Sequence, residues 1–518
     1  MSSPAVQARW LTQPGTLGWL LPLAVAGACF AAGVTADGWI LDDTVNLSQH
    51  AAHGDVLGEW LEPTYRHAGS GTGHIWRPIP ASLQHLAAVL FGRTPPVFRL
   101  LSLGVHLLNV LLVHRLARVL GAGGLAAGLA ALCFTLHPAL PEAVCWSSDI
   151  YDLMLATLLL LATWAAVALP TLAARVLGGS ALLLLACLCK ETAVAFVPAL
   201  ALVALARRGW REALAMGIAA VGVAGLWLVL HGMVTGQGYG AAGAQSPITH
   251  QLAAWLTSAG WLLWVPPQAP LSHFFVPEAW AGPALGLATL ASLAGLSLVA
   301  WRRIPEGGAL QAVAGCAWAC LLAPTGPAVP MIGLHSFRYV YAPLAVFAAV
   351  AAPVAAVGFA RLPRLLSACL LLAWCGAGAW MVTGRVGDWR NPQRLFLAEL
   401  SVEPGNPYAA AQLARLMAVS GHQVEASLDA WAQALDTPTP PSRLFDTSRE
   451  RWELAQAAFL AGYPERALVE VQRLVADAEV QGRPPPAQAY CLVADSLDAL
   501  GRPGEAEAVE HLCPLPTP

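Results

Sequence analysis

A single lysine, Lys190, stands in a chain of 518 residues, and only 11% of the residues are charged against 57% hydrophobic. Soluble domains carry about 25% charged residues, so this shortage excludes an ordinary soluble globular protein. No basic low-complexity tail is present, which removes the usual footprint of a nucleic-acid partner. The eleven cysteines show no metal-ligand spacing. Cys187 and Cys189 lie in an apolar run, where cysteine serves as a small core residue. The first apolar run lacks a small-residue cleavage site and reads as a retained span rather than a removed signal.

What the chain has in quantity is apolar length. Runs near the roughly 20 residues that cross a bilayer fall at 17–36, 97–119, 122–140, 149–169, 172–189, 192–206, 211–235, 282–301, 309–326, 337–358 and 363–383. A shorter run, 251–267, ends in Pro266-Pro267 and reads as a re-entrant helix. The expected fold class is all-α: a polytopic membrane helix bundle of 11 spans plus that re-entrant helix. Charge divides the chain further. Residues 1–384 hold 13 acids and 17 bases, whereas residues 385–518 hold 18 acids and 11 bases. The expected domains are therefore a membrane domain, 1–384, and a tail, 385–518.

Arginine placement sets orientation. With the N-terminus inside, Arg115, Arg118, Arg175, Arg207, Arg208, Arg211, Arg302, Arg303, Arg361 and Arg364 all lie at inner ends. Most acids of the membrane part fall on the other side: Asp37, Asp42, Asp43, Asp55, Glu59, Glu62, Glu142, Asp149 and Glu278. This parity requires 251–267 not to cross fully, and it puts the long loop 37–96 and the tail outside. In that loop, Gly69 to Gly73 is a flexible turn. Pro78 to Phe91 is apolar at Ile79, Leu83, Leu86 and Leu90. That spacing predicts an amphipathic helix, lying on the membrane surface or packed on its neighbours.

The tail repeats the pattern Leu/Val-Ala-x6-Gly-x4-Ala three times. It runs Leu413-Ala414, Gly421, Ala426, then Leu454-Ala455, Gly462, Ala467, then Val493-Ala494, Gly501, Ala506, at spacings of 41 and 39 residues. Glycine suits the turn of a helical hairpin, and alanine lets the second helix pack close. The pattern resembles tetratricopeptide (TPR) repeats, with period about 34, and the excess falls in the connectors Thr437 to Ser442 and Gly482 to Pro486. An ordinary helical bundle is the alternative. Cys491 and Cys513 fall on the arms of the last hairpin, either bridged if the tail is outside or two buried thiols.

Polar residues that carry chemistry gather on the outer side. Asp42 and Asp43 follow the first span, with Asn46 nearby. His137 and Glu142 share the stretch His137-Pro-Ala-Leu-Pro-Glu142, and Asp149 and Asp152 head the next helix. Lys190-Glu191 joins two spans, Arg338-Tyr339 heads a late one, and Arg77 sits in the first loop. Boundary acids are functional candidates because charge near lipid is costly. Acids able to take a proton and cations able to hold a phosphate would then face one compartment, as a transferase with a lipid-phosphate donor requires. Each motif also has a plainer reading. Asp42 and Asp43 as a solvated helix cap, Lys190-Glu191 as a boundary ion pair, Arg338 with Tyr339 as an interfacial anchor, Glu142 and Asp149 as solvated loop charges, and His137-Pro138 as a helix stop are these alternatives.

Asp42-Asp43-x-x-Asn46, Trp76-Arg77-Pro78, Phe91-Gly92, Phe98-Arg99-Leu100 and His106-x-x-Asn109 occur in that order. His137-Pro-x-x-x-Glu142-Ala-Val, Lys190-Glu191 and Arg338-Tyr-x-Tyr-x-Pro343 follow. This succession resembles the GT-C membrane glycosyltransferases, most of all the transmembrane O-mannosyltransferases with TPR repeats and their bacterial relatives. The resemblance covers nearly the whole chain. It implies a polyprenyl-phosphate-linked sugar as donor and an acceptor hydroxyl on a protein, glycan or lipid. It also implies no obligatory metal or other cofactor, while the arginine distribution puts transfer on the extracytoplasmic face of a bacterial inner membrane with the tail in the periplasm. On this resemblance Asp42 or Asp43 is the base. Arg77, Lys190, Glu191, Arg338 and Tyr339 bind the donor phosphate or sugar, and Asn46, His137, Glu142, Asp149 and Asp152 bind the acceptor or support the site. One departure is visible: Ile150 stands two residues before Asp152, where relatives often carry arginine. Two other functions fit parts of the sequence, a flippase for lipid-linked sugars and a TPR scaffold without catalysis. The membrane halves show no internal repeat to favour the first, and an unpaired acidic doublet at a helix mouth has no use in the second.

Overall fold

The computed structural model describes residues 16–36, 38–43, 46–47, 55–64, 75–236, 247–262, 272–274, 283–291, 294–295, 334–359, 363–421, 423–437, 447–480, 482 and 484–513. The expected turn at 69–73, Pro266-Pro267, the span 309–326 and much of 282–301 lie outside them, as do Asp37, Glu278, Arg302, Arg303 and Arg361. The chain divides into two compact units, residues 1–331 with 335–392, and residues 332–334 with 393–518.

The first unit is helical. Its helices include α1 (Leu20–Val34), α2 (Pro78–Phe91), α3 (Pro95–Val119), α4 (Gly124–Thr135), α5 (Leu140–Cys145), α6 (Ile150–Ala168), α7 (Leu172–Cys189), α8 (Val197–Arg208), α9 (Trp210–Thr235), α10 (Ile248–Gly260), α11 (Tyr341–Phe359) and α12 (Arg364–Asp388). Two three-residue strands, β1 (Ser272–Phe274) and β2 (Leu334–Ser336), form the one sheet among the described residues. Among the described residues, five stretches are long and apolar enough to cross a membrane: Pro95–Val119, Ser147–Ala168, Leu172–Cys189, Trp210–Thr235 and Leu365–Asp388. Shorter apolar helices accompany them at Leu20–Val34, Pro78–Phe91, Gly124–Thr135, Glu191–Ala206 and Phe337–Ala352. Apart from this small sheet, which the sequence did not suggest, the helical architecture read from the sequence is the one observed.

Sequence punctuation explains the element ends. Proline occupies the first turn of α2, α3, α5 and α8, where its missing N–H costs nothing. The Thr171 hydroxyl caps α7 by accepting the Ala174 N–H at 3.1 Å. α3 packs against α1, α4, α6 and α11, and α6 continues the layer through α7 to α9. Close approach at α4 depends on Gly128, where an added Cβ would lie 2.7 Å from the Gly18 carbonyl oxygen. α2 spans the residues predicted for an amphipathic helix. Its packed face is the small and polar one, Pro80, Ala81, Gln84, Ala87 and Ala88, while Leu86 and Leu90 of the apolar stripe are exposed.

A buried polar knot fixes the head of α11. His106 Nδ1 lies 2.8 Å from the Tyr341 hydroxyl. Asn109 Nδ2 donates to that hydroxyl at 3.2 Å and to the Leu153 carbonyl at 2.9 Å. His106 and Asn109, one turn apart, thus bond α3 to α6 and α11, as interhelical polar pairs do in apolar surroundings.

The second unit holds α13 (Pro392–Val402), α14 (Pro407–Val419), α15 (Val424–Asp436), α16 (Thr447–Leu460), α17 (Pro464–Val480), α18 (Ala487–Ala499) and α19 (Pro503–Glu510). Three helical hairpins pair α14 with α15, α16 with α17 and α18 with α19. The repeat glycines Gly421, Gly462 and Gly501 sit at their turns with φ of +76°, +84° and +73°, the left-handed conformation glycine adopts without a Cβ clash. Ala467 and Ala506 are buried, as the repeat predicts. Ala426 is exposed, a departure with a visible cause. Proline starts the second helix of the other two hairpins at Pro464 and Pro503, two residues after the glycine. In the first hairpin Gln423, at φ +46°, adds one residue to the turn. α15 therefore begins one residue late, and Ser427 and Leu428 take the buried positions. Cys491 and Cys513 are bridged, with Cα atoms 4.9 Å apart, so the alternative of two free thiols is set aside. Arg451, buried, donates to Glu470 at 2.6 Å and to Asp436 at 2.9 Å, tying α15, α16 and α17 together.

Gly462→Ala forces a Cβ into the left-handed turn and should destabilise the tail by about 1–2 kcal/mol. Gly405→Ala, with no positive φ and nothing within 4 Å of the new Cβ, should be near neutral. Hydrogen exchange across α16 and α17 in the full chain measures the difference.

Candidate functional site

The residues from His137 to Asp149 form a broken connection between α4 and α6. Pro141 opens α5, which lasts six residues. Trp146 then takes an extended conformation, φ −84° and ψ 104°, before the 3-10 turn Ser147–Asp149. Breaking the helix here frees backbone N–H groups and turns side chains in three directions. Glu142 is buried. Its carboxylate accepts the Phe337 N–H at 2.8 Å and the Ser336 hydroxyl. Burial pushes its carboxyl up from the usual range, against the lowering pull of Arg338 and of these hydrogen bonds. Ser147 contributes its carbonyl to Gln84 Nε2 of α2 at 3.1 Å.

The acidic doublet meets this connection. Asp43 is 1% exposed. Its Oδ1 accepts the Ser148 N–H at 2.8 Å and its Oδ2 accepts the Ile40 N–H at 3.4 Å. Asp42 is exposed, and its Oδ1 accepts the Trp146 indole N–H at 3.0 Å. The two neighbours are thus differently employed: Asp43 holds backbone, while Asp42 keeps a carboxylate edge open. Burial, with the Asp42 charge beside it, pushes the Asp43 carboxyl up to about 7. Asn46 is buried and donates its N–H to the Asp42 carbonyl at 2.8 Å.

Three cations and three aromatic rings alternate across the same region. The Arg77 guanidinium lies 4.3 Å over the Tyr151 ring and forks onto Glu191 at 2.6 and 3.0 Å. Lys190 lies 5.3 Å over Tyr151 and 5.4 Å over Tyr339. Its Nζ is 2.6 Å from both oxygens of Asp152. Arg338 lies 5.4 Å over Tyr339 and 4.2 Å over Trp146. It approaches Asp149 at 3.8 Å and Glu142 at 4.0 Å, distances too long for hydrogen bonds. The Arg338 Nε and both Asp149 oxygens have no hydrogen-bond partner among the described residues. Two cations are therefore spoken for by close carboxylates, and the third retains donors.

The structure brings together Asp42, Asp43, Asn46, Arg77, Glu142, Asp149, Asp152, Lys190, Glu191, Arg338 and Tyr339. His137 points elsewhere: its Nδ1 accepts the Ala139 N–H at 3.3 Å within its own turn. The boundary ion pair Lys190-Glu191 does not form, because Lys190 turns to Asp152 and Glu191 to Arg77. Glu142 and Asp149 are not solvated loop charges, being 2% and 0% exposed. Arg338 and Tyr339 are half-buried in the turn before α11 and lie against Trp146 and Lys190. The place of the missing arginine at Ile150 is not left without a cation, since Lys190 reaches Asp152 from α7. Trp146, Ser148, Tyr151 and Trp389 were not singled out by sequence. Trp146 stacks on Trp389 with ring centroids 6.3 Å apart, and Arg99 donates to the Trp389 carbonyl at 3.0 Å. The position of Trp146 between Glu142 and Asp149 was the available signal. Among the described residues, no three His, Cys, Asp or Glu side chains are grouped to hold a metal ion.

No family model matches this chain, and no curated protein matches it. Among solved structures, the chain is similar to the crystal structure of ArnT from Cupriavidus metallidurans bound to undecaprenyl phosphate. Identity is 17%, the TM-score is 0.42, and the match covers 88% of this chain and 80% of that one.

An acid whose pKa is higher in the folded than in the unfolded chain binds its proton more tightly when folded. Asp43 should therefore cost stability as pH rises from its ordinary value near 3.8 towards 7. Asp43→Asn removes this cost. The melting temperature of the variant relative to the parent should rise between pH 5 and pH 8 in detergent; a pH-independent difference would contradict the buried-acid reading.

Proposed function

We propose that this chain is an integral-membrane glycosyltransferase. It transfers a sugar from a polyprenyl-phosphate donor to an acceptor hydroxyl, on a protein, glycan or lipid, on the extracytoplasmic face. The observation that carries this reading is the pairing of an open carboxylate with an underused guanidinium around one indole: Asp42 on the Trp146 N–H and Arg338 on the Trp146 ring face. Transfer needs both ends. Asp42 takes the acceptor proton as the acceptor oxygen bonds to the anomeric carbon. The bond from that carbon to the donor phosphate breaks, and the electron pair leaves with the phosphate. Arg338 meets the departing charge with donors that no protein carboxylate occupies at hydrogen-bonding distance. Lys190 and Arg77 extend the positive side, each already balanced by Asp152 or Glu191. In this arrangement Asp43 is not the base; its oxygens hold the Ser148 and Ile40 N–H groups and so set where Asp42 points.

The reading includes the finer suggestions of the resemblance, an O-mannosyltransferase with a TPR-like tail in the periplasm of a bacterium. The Cys491–Cys513 bridge supports a tail in an oxidising compartment. The acid excess of residues 385–518, 18 against 11 bases, suits a basic or polar acceptor segment. Such a segment held there would gain effective concentration on the transfer side of the membrane.

Asp42→Asn should lower transfer at least about a hundredfold while leaving membrane insertion intact. Cellular glycan and glycoprotein masses from cells lacking the chain, complemented with parent or variant, provide the measurement. Unchanged masses with Asp42→Asn would exclude Asp42 as the base. A reporter active only in the cytoplasm, fused after Pro518, should remain dark; activity there would invert the later loops.

A further inference from the structure

We propose that Trp146 is a positioning residue that serves both ends of the site through separable parts of its indole, the N–H orienting Asp42 and the ring face carrying Arg338. The inference rests on the transferase reading above and assigns the contacts within it. Three contacts place the ring. Its Nε1 is 3.0 Å from Asp42 Oδ1. One set of ring contacts is the stack on Trp389, tilted by 27°. The Arg338 guanidinium lies 4.2 Å from its centroid. The indole is 7% exposed and begins the 3-10 turn from which Ser148 holds Asp43. It cannot swing to release one partner without losing the others.

The two parts have different physical effects. An N–H donor to a carboxylate favours the ionised form, so its loss raises the proton affinity of Asp42. A ring under a guanidinium fixes the plane of the cation and shields it from water, so its loss weakens phosphate capture. The charged and titratable groups that also face Asp42 are Asp43 on its own segment, Arg338 from the turn before α11 and Tyr151 from α6, with Asn46 hydrogen-bonded nearby. All of these remain in the variants below.

Trp146→Phe keeps a ring and deletes the donor; Trp146→Ala deletes both. Two readouts separate them in the full chain, purified in nanodiscs. The first is labelling of Asp42 by a hydrophobic carbodiimide, which reacts with protonated carboxyls, followed by mass spectrometry across pH. Its midpoint should move up by about one pH unit in both variants, since a hydrogen bond to a charged group is worth about 1.5–3 kcal/mol and one unit is about 1.4 kcal/mol. The second is binding of a polyprenyl phosphate, which should be within about twofold of the parent in Trp146→Phe and about tenfold weaker in Trp146→Ala. An unchanged labelling midpoint in a folded Trp146→Phe would overturn the inference, as would equal loss of binding in both variants. The labelling readout needs no enzymatic activity. If the parent binds no polyprenyl phosphate and transfers no sugar, the transferase reading fails while the midpoint shift still decides the Trp146–Asp42 link. If Trp146→Ala does not fold, Trp146→Leu substitutes for it.

Discussion

A carboxylate removed from water must find donors inside the protein, or it will not stay charged. Glu142 meets this demand with the backbone N–H of Phe337 and the hydroxyl of Ser336, which come from a segment nearly two hundred residues later in the chain. Leaving such a group unpaired costs far more than its hydrogen bonds gain when made. The pairing therefore dictates where β2 ends and where the turn before α11 begins. Arg338 follows one residue after Phe337 and inherits that position. From the other side, the Tyr341 hydroxyl is held by His106 and Asn109 of α3. The guanidinium is thus bracketed by two buried polar anchors, one on each side in sequence.

Between these anchors the protein arranges charge by neutralising most of it. Arg77 and Lys190 each meet a carboxylate at 2.6 Å. Buried pairs of this kind are weak evidence of stability, but losing one partner is costly, because a bare charge remains. They behave as fixed furniture. The aromatic rings of Tyr151, Tyr339 and Trp146 space the cations apart and limit their mutual repulsion. Arg338 differs because its carboxylates stand off at 3.8 and 4.0 Å. Its charge is balanced over a distance, yet its hydrogen bonds are not consumed. That combination suits an anion that arrives and leaves, rather than one built into the chain.

Much of this was legible beforehand. The apolar runs located the helices, since length and lack of charge are local properties. The proline and glycine positions located their ends, and the glycines of the tail repeat marked its three turns. Asp42, Asp43, Glu142, Asp149, Asp152, Lys190 and Arg338 stood out because charge in an apolar chain is scarce. Partnerships were not legible. Lys190 sits beside Glu191 in sequence but bonds Asp152, 38 residues away, and Glu191 bonds Arg77 across 114 residues. The packing of α6 and α2 on α7 decides these pairings. Trp146 escaped notice because the chain has 20 tryptophans, and tryptophan in a membrane protein ordinarily reads as an interface anchor. In the tail, one residue at Gln423 shifted a helix phase, a change too small for a pattern with a fixed spacing to register.

The solitary lysine has a consequence for anyone handling the protein. Amine-directed reagents, whether crosslinkers, acylating labels or reductive methylation, find one side-chain target in the entire sequence, and that target is 5% exposed. Its amine is clasped by both oxygens of Asp152, which leaves a reagent little room to approach it while the clasp holds. Side-chain amine chemistry on this chain is therefore almost silent, and acylation of Lys190 reports that the interior of the site has opened.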